Sequence, residues 1–203
     1  MSKRYGMAID LKRCVNCHSC AIACKAENGT PRDVYWSKVL TYEIGEYPAT
    51  TQVFLPVLCM HCQDAPCLNV CPTAATYKRE DGVVLVNYDH CMGCRYCELA
   101  CPYDARVFME DIKAYMYDGV LTPYEERLYK KHQVGVEEKC TFCVDRLAKG
   151  MEPTCVQTCP GFARTFGDLN DPYSEVSMII ARHNAKPLMD HLGTHASVFY
   201  FGG

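Results

Sequence analysis

The chain lacks any long apolar run. No stretch approaches the roughly 18 consecutive apolar residues that suggest a membrane-spanning helix. We therefore predict no direct membrane span. Residues 1–14 also lack the apolar core of a secretory signal peptide, so we expect no Sec-dependent export of this chain on its own.

The chain also has no large excess of positive or negative charge. Lys and Arg number 21 against 24 Asp and Glu, which gives a formal net charge of −3 and an isoelectric point near 6.2. Basic residues do not cluster in any segment. This composition argues against a nucleic-acid-binding protein, and we expect no nucleic-acid partner.

Catalytic and nucleotide-binding motifs are absent as well. The sequence contains no G-x-G-x-x-G fingerprint, no phosphate-binding P-loop, no H-E-x-x-H zinc motif and no nucleophile elbow. We therefore predict no catalytic residue and no nucleotide binding or hydrolysis. The chain is not expected to be an enzyme by itself.

Cysteine, by contrast, is abundant: 16 of the 203 residues are cysteines, in four runs of four with none left over. The first run is Cys14, Cys17, Cys20 and Cys24; the second is Cys59, Cys62, Cys67 and Cys71; the third is Cys91, Cys94, Cys97 and Cys101; the fourth is Cys140, Cys143, Cys155 and Cys159. The third run matches the bacterial ferredoxin signature C-x2-C-x2-C-x3-C-P, and the first matches it except that Lys25 replaces the proline. At four thiolates per cluster, the sixteen cysteines predict four [4Fe–4S] clusters.

Three other chemistries also use cysteine at high density. Disulfides are typical of short secreted chains. Structural zinc sites pair two C-x2–4-C hooks and do not suit three equally spaced cysteines followed by a fourth. A C-x-x-C-H haem motif is present at residues 14–18, but haem would leave Cys20 and Cys24 without a role. The spacing favours iron–sulfur clusters, and a zinc-stabilised structural protein is the alternative of another class.

The sequence repeats itself. Residues 8–24 align with 85–101, and residues 71–77 align with 159–166. Each member of the first pair has a short strand-like segment, then a cysteine-rich loop, then the start of a helix. The repeats predict an α+β fold with two ferredoxin-like modules, one inserted within the other.

The two modules divide the runs between them. Module 1 comprises residues 1–58 and 102–170, holds the first and fourth runs, and has an insertion at about 102–139. Module 2 comprises residues 59–101 and holds the second and third runs. Residues 171–203 are predicted to form a helix and a strand in a tail that docks on a partner.

Several local elements are also predicted. Residues 75–86 form a hairpin that turns at Asp81-Gly82, and residues 30–58 form strands and a loop. One helix has Pro123 in its first turn, and another follows Asp171-Pro172. Residues 197–201 form a last strand.

A rule from two-cluster ferredoxins predicts the ligand sets: the fourth cysteine of a run binds the other cluster. The helix after the first three cysteines carries the fourth thiolate towards the neighbouring site. Ligand set 1 is Cys14, Cys17, Cys20 and Cys159; ligand set 2 is Cys24, Cys140, Cys143 and Cys155; ligand set 3 is Cys59, Cys62, Cys67 and Cys101; ligand set 4 is Cys71, Cys91, Cys94 and Cys97. The prolines after three of the runs, Pro72, Pro102 and Pro160, are expected to end local hydrogen bonding at the cluster edge.

Histidines and basic residues next to the runs are assigned secondary roles. Sixteen thiolates leave no iron position vacant, so the histidines are expected to be outer hydrogen-bond donors or surface residues. These are His18, His61 and His90. The basic residues are expected to raise cluster potentials, to face a partner, or to be ordinary solvated surface. They are Lys25, Arg95, Lys139 and Arg146.

The four-run arrangement resembles the iron–sulfur electron-transfer subunits of the dimethyl sulfoxide reductase superfamily of molybdopterin oxidoreductases. The resemblance extends from Tyr5 to about Gly167 and includes all sixteen cysteine positions. Within that group, the segments GMAIDLKRCVNC, CMHCQDAPCLNVCPT and FGDLNDP are most similar to the polysulfide/thiosulfate reductase and respiratory arsenate reductase subunits. The insertion at 102–139 departs from the polysulfide type and is similar in kind to the arsenate type.

The resemblance implies a role in anaerobic respiration. Electrons would be relayed between a molybdopterin-containing catalytic subunit, with Mo or W, and an integral-membrane quinone-binding anchor. The cluster of ligand set 1 would lie nearest the catalytic subunit, and that of ligand set 4 nearest the membrane. The implied location is the periplasmic face of the membrane, through co-export with the catalytic subunit; the cytoplasm is the alternative. The alternative functions are a freestanding polyferredoxin and an electron-transfer subunit of a hydrogenase or formate hydrogenlyase.

Overall fold

Two copies of one strand-and-loop pattern make up most of the chain. The structure is a computed structural model, and it describes residues 3–203. The first copy contains β1 (Tyr5–Asp10), α1 (Ser19–Asn28), β2 (Ser37–Ile44), β3 (Thr51–Leu58), α2 (Pro66–Asn69) and β4 (Thr76–Lys78). The second copy contains β5 (Val84–Val86), α3 (Tyr96–Leu99), β6 (Val107–Phe108), α4 (Pro123–Leu128), β7 (Glu137–Glu138), α5 (Val144–Leu147), α6 (Thr154–Gln157) and β8 (Arg164–Asp168). After them come α7 (Glu175–His183), β9 (Lys186–Pro187) and β10 (Val198–Phe201).

Each copy has the order strand, cysteine run, hairpin, cysteine run, strand. In the first copy the hairpin is β2–β3, which pairs antiparallel from Ser37 opposite Leu58 to Ile44 opposite Thr51. In the second copy it is β6–β7, with only two residues in each strand. Residues 109–136, most of the predicted insertion, are therefore the loop of the second hairpin.

The outer strands of the two copies pair with each other. β1, from the start of the chain, pairs antiparallel with β8, while β4 pairs antiparallel with β5. The β4–β5 hairpin turns at Asp81-Gly82, where Gly82 has a φ of 80°. The hairpin predicted at residues 75–86 is thus confirmed.

The C-terminal strand lies inside a four-stranded sheet with the order β8-β1-β10-β9. β10 pairs parallel with β1, and its alternate residues Val198 and Tyr200 are buried. The Tyr200 hydroxyl donates a hydrogen bond to the Pro56 carbonyl at 2.9 Å. The sequence predicted this strand within a tail that docks on a partner. The structure pairs the strand with the chain's own first strand, and docking of the tail stays a prediction. The reason for the pairing is the strand's period-two apolar pattern, which suits a half-buried strand.

The predicted helix before this strand is α7, which begins after Ser174. The Ser174 side chain accepts a hydrogen bond from the Ser177 amide, and Asn184 ends the helix in the left-handed conformation. Val176 is its fully buried residue, close to Gly167 on β8. No helix within residues 3–203 has the length and apolarity needed to cross a bilayer.

The loop of the second hairpin contains α4, which begins with a capping box. Thr122 accepts a hydrogen bond from the Glu125 amide, and the Glu125 carboxylate accepts one from the Thr122 amide at 2.7 Å. Pro123 occupies the first turn, as predicted. The same carboxylate accepts a hydrogen bond from the Tyr115 amide at 2.8 Å, and this bond connects the helix to the segment before it.

The buried core is built around cysteines. Six of them, Cys20, Cys24, Cys59, Cys62, Cys140 and Cys155, belong to one buried cluster with apolar side chains from both copies. Its largest fully buried members include Phe142, Met7 and Ile9. The candidate ligands therefore lie within the packed interior and are not confined to surface loops.

Candidate metal centres

Each cysteine run begins with the same backbone turn. The residue before the second cysteine has a positive φ in all four runs: 56° at Asn16, 44° at His61, 71° at Gly93 and 53° at Phe142. Left-handed residues of this kind let successive amides face an electron-rich group. The His61 amide points at the Cys59 Sγ at 3.5 Å, and the Phe142 amide at the Cys140 Sγ at 3.4 Å.

The ends of the runs have a second shared turn. The third residue after the fourth cysteine also has a positive φ, at Ala74, Asp104 and Phe162. The Thr76 amide then reaches the Cys71 Sγ at 3.4 Å, and the Ala163 amide reaches the Cys159 Sγ at 3.3 Å. Because proline follows these cysteines and has no N–H, the sulfur receives its hydrogen bond from further along the chain.

Three cavities of similar size are each lined by four cysteines from two different runs. The first is lined by Cys14, Cys17, Cys20 and Cys159; the second by Cys59, Cys62, Cys67 and Cys101; the third by Cys71, Cys91, Cys94 and Cys97. These groupings are those of ligand sets 1, 3 and 4.

The remaining four cysteines lie together in the interior. Burial raises the pKa of the Cys24 thiol, and the neighbouring Cys155 and Cys143 sulfurs raise it further. Burial likewise raises the pKa of Cys140, with added contributions from the other three cysteines of ligand set 2. The Asn28 side-chain amide faces the Cys24 Sγ at 3.5 Å.

Electrostatic interactions between thiols link the four sets in pairs. Burial raises the pKa of Cys155, and Cys20 of ligand set 1 raises it further. In the same way, Cys59 of ligand set 3 raises the pKa of Cys140 in ligand set 2. Cys67 of ligand set 3 raises the pKa of Cys97 in ligand set 4. These interactions link ligand set 1 to set 2, set 2 to set 3, and set 3 to set 4.

The donor chemistry of these sets fits iron–sulfur clusters. All sixteen cysteines are free thiols, and among them only Cys17 is exposed. Within residues 3–203, no group of three or more His, Cys, Asp or Glu side chains is arranged to hold one metal ion. Four soft thiolates around an enclosed volume are the ligands that [4Fe–4S] clusters use.

The three histidines next to the runs differ in environment. His18 and His90 are exposed, whereas His61 is fully buried. The His61 Nδ1 accepts a hydrogen bond from the Val84 amide at 3.1 Å, so the ring proton lies on Nε2. Burial holds the pKa of His61 well below its usual value, and nearby Lys139 lowers it further. The ring is thus neutral, and it stacks on Phe142 with 3.8 Å between ring centroids.

The four basic residues named from the sequence fall into two groups. Lys25 and Lys139 are buried and donate to backbone carbonyls; the Lys25 Nζ lies 2.6 Å from the Val34 oxygen, and the Lys139 Nζ 2.9 Å from the Cys140 oxygen. Arg95 and Arg146 form ion pairs nearer the surface, with Glu110 at 2.8 Å and Glu27 at 3.1 Å.

Sequence reasoning missed three buried charged residues beside the sets. Arg106 and Arg164 are each 4% exposed, and their guanidinium groups face the Cys97 Sγ at 3.2 Å and the Cys20 Sγ at 3.4 Å. Glu137, which is 1% exposed, lines the cavity of ligand set 4. Burial and the Glu98 carboxylate raise the pKa of Glu137 to about 7. A repeated C-P-x-x-A-R motif was the available signal for the two arginines.

Comparison with known proteins defines the class first. Residues 50–117 and 114–169 match the family model described as a 4Fe–4S dicluster domain. The chain is therefore a mixed α/β iron–sulfur protein with two 4Fe–4S dicluster domains.

Individual relatives narrow the class. The B subunit of the selenate reductase of Mesobacillus selenatarsenatis is 45% identical over 205 residues, which cover 96% of this chain and 70% of the relative. The arsenate respiratory reductase iron–sulfur subunit of Shewanella sp. ANA-3 is 38% identical over 97% of this chain and 95% of its own length. The B component of the polysulfide reductase of Wolinella succinogenes is 39% identical, and the match covers 98% of this chain and 94% of the relative.

This protein belongs to the family of iron–sulfur B subunits of dimethyl sulfoxide reductase-type enzymes. It is a non-catalytic electron-transfer subunit of a reductase complex, which confirms the role expected from the resemblance. Membership of this family implies a catalytic subunit as its partner.

Proposed function

We propose that the chain holds four [4Fe–4S] clusters in a row and relays electrons along them, between a molybdopterin catalytic subunit and an integral-membrane quinone-binding anchor. The observation that carries this proposal is the grouping of cysteines from different runs around shared cavities. The proposed ligands are those of ligand sets 1 to 4. Each set combines three cysteines of one run with one from another, as in two-cluster ferredoxins.

We also propose that module 2, residues 59–101, is nested within module 1. The pairing of β1 with β8 supports it, because it joins the strand before the first run to the strand after the fourth. α1 packs against α6 within module 1, and α2 packs against α3 within module 2. These helices carry cysteines of the runs that each module combines.

A bound [4Fe–4S] cluster supplies one-electron redox chemistry. The residues of the chain hold these groups in the interior and keep water away. Between ligand sets 2 and 3 the stacked His61 and Phe142 rings fill the space, and both are fully buried. Amides of the same two residues face Cys59 and Cys140, and hydrogen bonds to sulfur tune cluster potential.

Exposed apolar side chains lie at both ends of the row. Val15 and Phe162, beside ligand set 1, are 62% and 76% exposed. Met92 and Leu99, beside ligand set 4, are 65% and 83% exposed. Grouped exposed apolar residues are typical of docking surfaces. We propose that the first end contacts the catalytic subunit and the second contacts the anchor.

The relatives suggest the setting. They are named for the reduction of selenate, arsenate and polysulfide, so we propose a catalytic partner that acts on an oxyanion or a sulfur compound in anaerobic respiration. We place the complex on the periplasmic face of the membrane, through co-export with the catalytic subunit. Separation of periplasm and cytoplasm from cells that express the tagged complex tests the location.

A pair of substitutions in the fourth run tests the ligand assignment. Cys155 and Cys159 lie four residues apart but are proposed to bind different clusters. After anaerobic purification, Cys159→Ser should remove the same electron paramagnetic resonance signal as Cys14→Ser, and Cys155→Ser the same signal as Cys24→Ser. The assignment is wrong if Cys155→Ser and Cys159→Ser remove one and the same signal. The wild-type chain should contain about 16 iron atoms, four for each of four cubanes.

Affinity purification through a tag on this chain, followed by native mass measurement of the isolated complex, tests the relay function. A tag on this chain should isolate it with a large molybdopterin-containing subunit and a membrane subunit. A freestanding polyferredoxin, the alternative, would be recovered alone and would pass electrons to several unrelated acceptors. Isolation with a hydrogenase would instead support the other alternative.

A further inference from the structure

Two arginines occupy the same position of a repeated motif. The motif C-P-x-x-A-R spans residues 101–106 and 159–164, and its last residues are Arg106 and Arg164. The related segment at residues 71–76 ends in Thr76 instead. One arginine therefore belongs to the cluster pair of each proposed module.

Arg106 lies between ligand sets 3 and 4. Its Nη1 faces the Cys97 Sγ of ligand set 4 at 3.2 Å, and its Nη2 donates to the Thr76 hydroxyl at 3.1 Å. The same side chain lines the cavity of ligand set 3. Burial alone would lower the pKa of Arg106, yet the sulfurs of Cys67 and Cys97 raise it above its usual value.

Arg164 has the equivalent position between ligand sets 1 and 2. Its Nη2 faces the Cys20 Sγ and the Ser37 hydroxyl, each at 3.4 Å. It lines the cavity of ligand set 1. The Arg164 side chain also forms a hydrogen bond with the Cys155 thiol of ligand set 2.

Neither guanidinium has a carboxylate partner. Among the ion pairs of the described residues, none includes Arg106 or Arg164, although both are 4% exposed. A buried cation is costly unless an anion compensates it. The anionic groups in reach of Arg164 include thiolate sulfurs of ligand sets 1 and 2. Those in reach of Arg106 are thiolate sulfurs of ligand sets 3 and 4, together with the buried Glu137 carboxylate beyond ion-pair distance.

We propose that Arg106 and Arg164 are fixed counter-charges, each placed between the two clusters of one module, which raise the reduction potentials of both. The proposal rests on the four-cluster assignment made above. Reduction adds a negative charge to a cluster, and a nearby buried cation stabilises that charge. Each arginine also weakens the repulsion between two reduced clusters, so both members of a pair can hold an electron.

Redox titration of the isolated complex, followed by electron paramagnetic resonance, tests the proposal. The variants are Arg106→Gln, Arg106→Met and Arg106→Lys, with the same three changes at Arg164. The neutral Arg106 variants should lower the midpoint potentials of clusters 3 and 4 and leave clusters 1 and 2 unchanged; the neutral Arg164 variants should do the reverse. At a fixed potential the ratio of reduced to oxidised cluster should fall about tenfold or more, and a tenfold change in this ratio is about 59 mV for a one-electron couple. The lysine variants should stay near the wild-type potentials.

Three outcomes overturn the proposal. Unchanged potentials in fully loaded neutral variants show that the charge has no effect. Equal shifts in the glutamine and lysine variants show that shape, and not charge, matters. Loss of iron from both neutral variants shows a role in cluster assembly instead. Arg182→Gln on α7 is the control, because it removes an equal charge from an exposed position. The wild-type iron content tests the four-cluster assignment separately.

Discussion

At the scale of single residues, the cysteine loops impose backbone geometry on whatever residue occupies the turn. Phe142 has a φ of 53°, which for a bulky residue costs on the order of 1–2 kcal/mol. Its ring stacks on His61 at 3.8 Å and packs edge-on against Phe166 at 5.3 Å. Buried packing thus offsets backbone strain at the point where ligand sets 2 and 3 meet.

Phe142 and Phe162 form a matched pair for testing this balance. Both have a positive φ, 53° and 49°, but Phe142 is 0% exposed and Phe162 is 76% exposed. Phe142→Ala should lower the free energy of unfolding by about 3–5 kcal/mol, because it leaves a cavity in the core. Phe162→Ala should change it by no more than about 0.5 kcal/mol. Thermal unfolding of the anaerobic, cluster-loaded protein measures both. Similar effects of the two substitutions would contradict this account.

Gly93 tests the close approach of the third run to the hairpin loop. A Cβ added here would lie 2.3 Å from the Gly135 carbonyl oxygen, and the residue has a φ of 71°. Gly119 has a φ of 76° but no atom within 4 Å of an added Cβ. Gly93→Ala should therefore lower the free energy of unfolding by about 1–3 kcal/mol more than Gly119→Ala, which introduces only the strain of an alanine at positive φ. Equal melting temperatures for the two variants would show that the third run and the hairpin loop are not in close contact at Gly93.

The sequence revealed the cysteines and their spacing, but not the buried charges. Spacing is a local property, so it predicts which thiols should bind iron and reveals how the runs repeat. The burial of Arg106, Arg164 and Glu137 depends on which elements pack over them, and no local pattern reports that. The repeated C-P-x-x-A-R motif marked the two arginines, but only the fold shows them between ligand sets.

At the scale of elements, the two hairpins show how one pattern gave rise to two different regions. β2–β3 has eight residues in each strand, while β6–β7 has two and carries residues 109–136 as its loop. This difference in length hid their equivalence in the sequence, although the flanking cysteine runs aligned. The insertion is the enlarged counterpart of a short turn.

A buried hydrogen-bonded pair, His132 and Glu138, anchors this enlarged loop. The His132 Nδ1 lies 2.8 Å from the Glu138 carboxylate and the Nε2 lies 3.1 Å from the Asn28 carbonyl. The Asn28 carbonyl only accepts, so the Nε2 donates to it, and the Nδ1 shares a second hydrogen bond with the carboxylate. The pair joins the loop to β7 and to the end of α1.

Removal of the histidine should leave Glu138 buried without its partner. His132→Leu should lower the free energy of unfolding by about 3–5 kcal/mol, and the double variant His132→Leu with Glu138→Leu should lower it by less. Hydrogen exchange of residues 109–136 should rise in the single variant. The exposed His195–Asp64 pair, at 2.6 Å with both side chains 65% exposed, provides the control. His195→Leu should change stability by no more than about 1 kcal/mol. A double variant that is less stable than His132→Leu contradicts the argument.

At the scale of the whole molecule, contacts far apart in sequence complete the fold. The order β8-β1-β10-β9 joins the first strand to the last one, and parallel pairing across the whole chain has no local signal. The sequence therefore predicted the helix and strand of residues 171–203 correctly as elements, but gave no indication that the strand would enter this sheet. The repeats, by contrast, predicted two dicluster domains because the repeated cysteine runs can be recognised from local spacing alone.

Removal of iron should disorder most of the molecule. Six cysteines lie within the main buried cluster, and strands such as β4 and β5 have only three residues each. Metal binding supplies folding free energy where a core of this kind cannot form alone. Anaerobic treatment with an iron chelator should abolish the thermal transition and most amide protection, and reconstitution with iron and sulfide should restore both. The eight-residue strands of β2–β3 should be the last to lose protection. An iron-free chain that melts cooperatively near the temperature of the loaded protein would show that the apolar core suffices without the clusters.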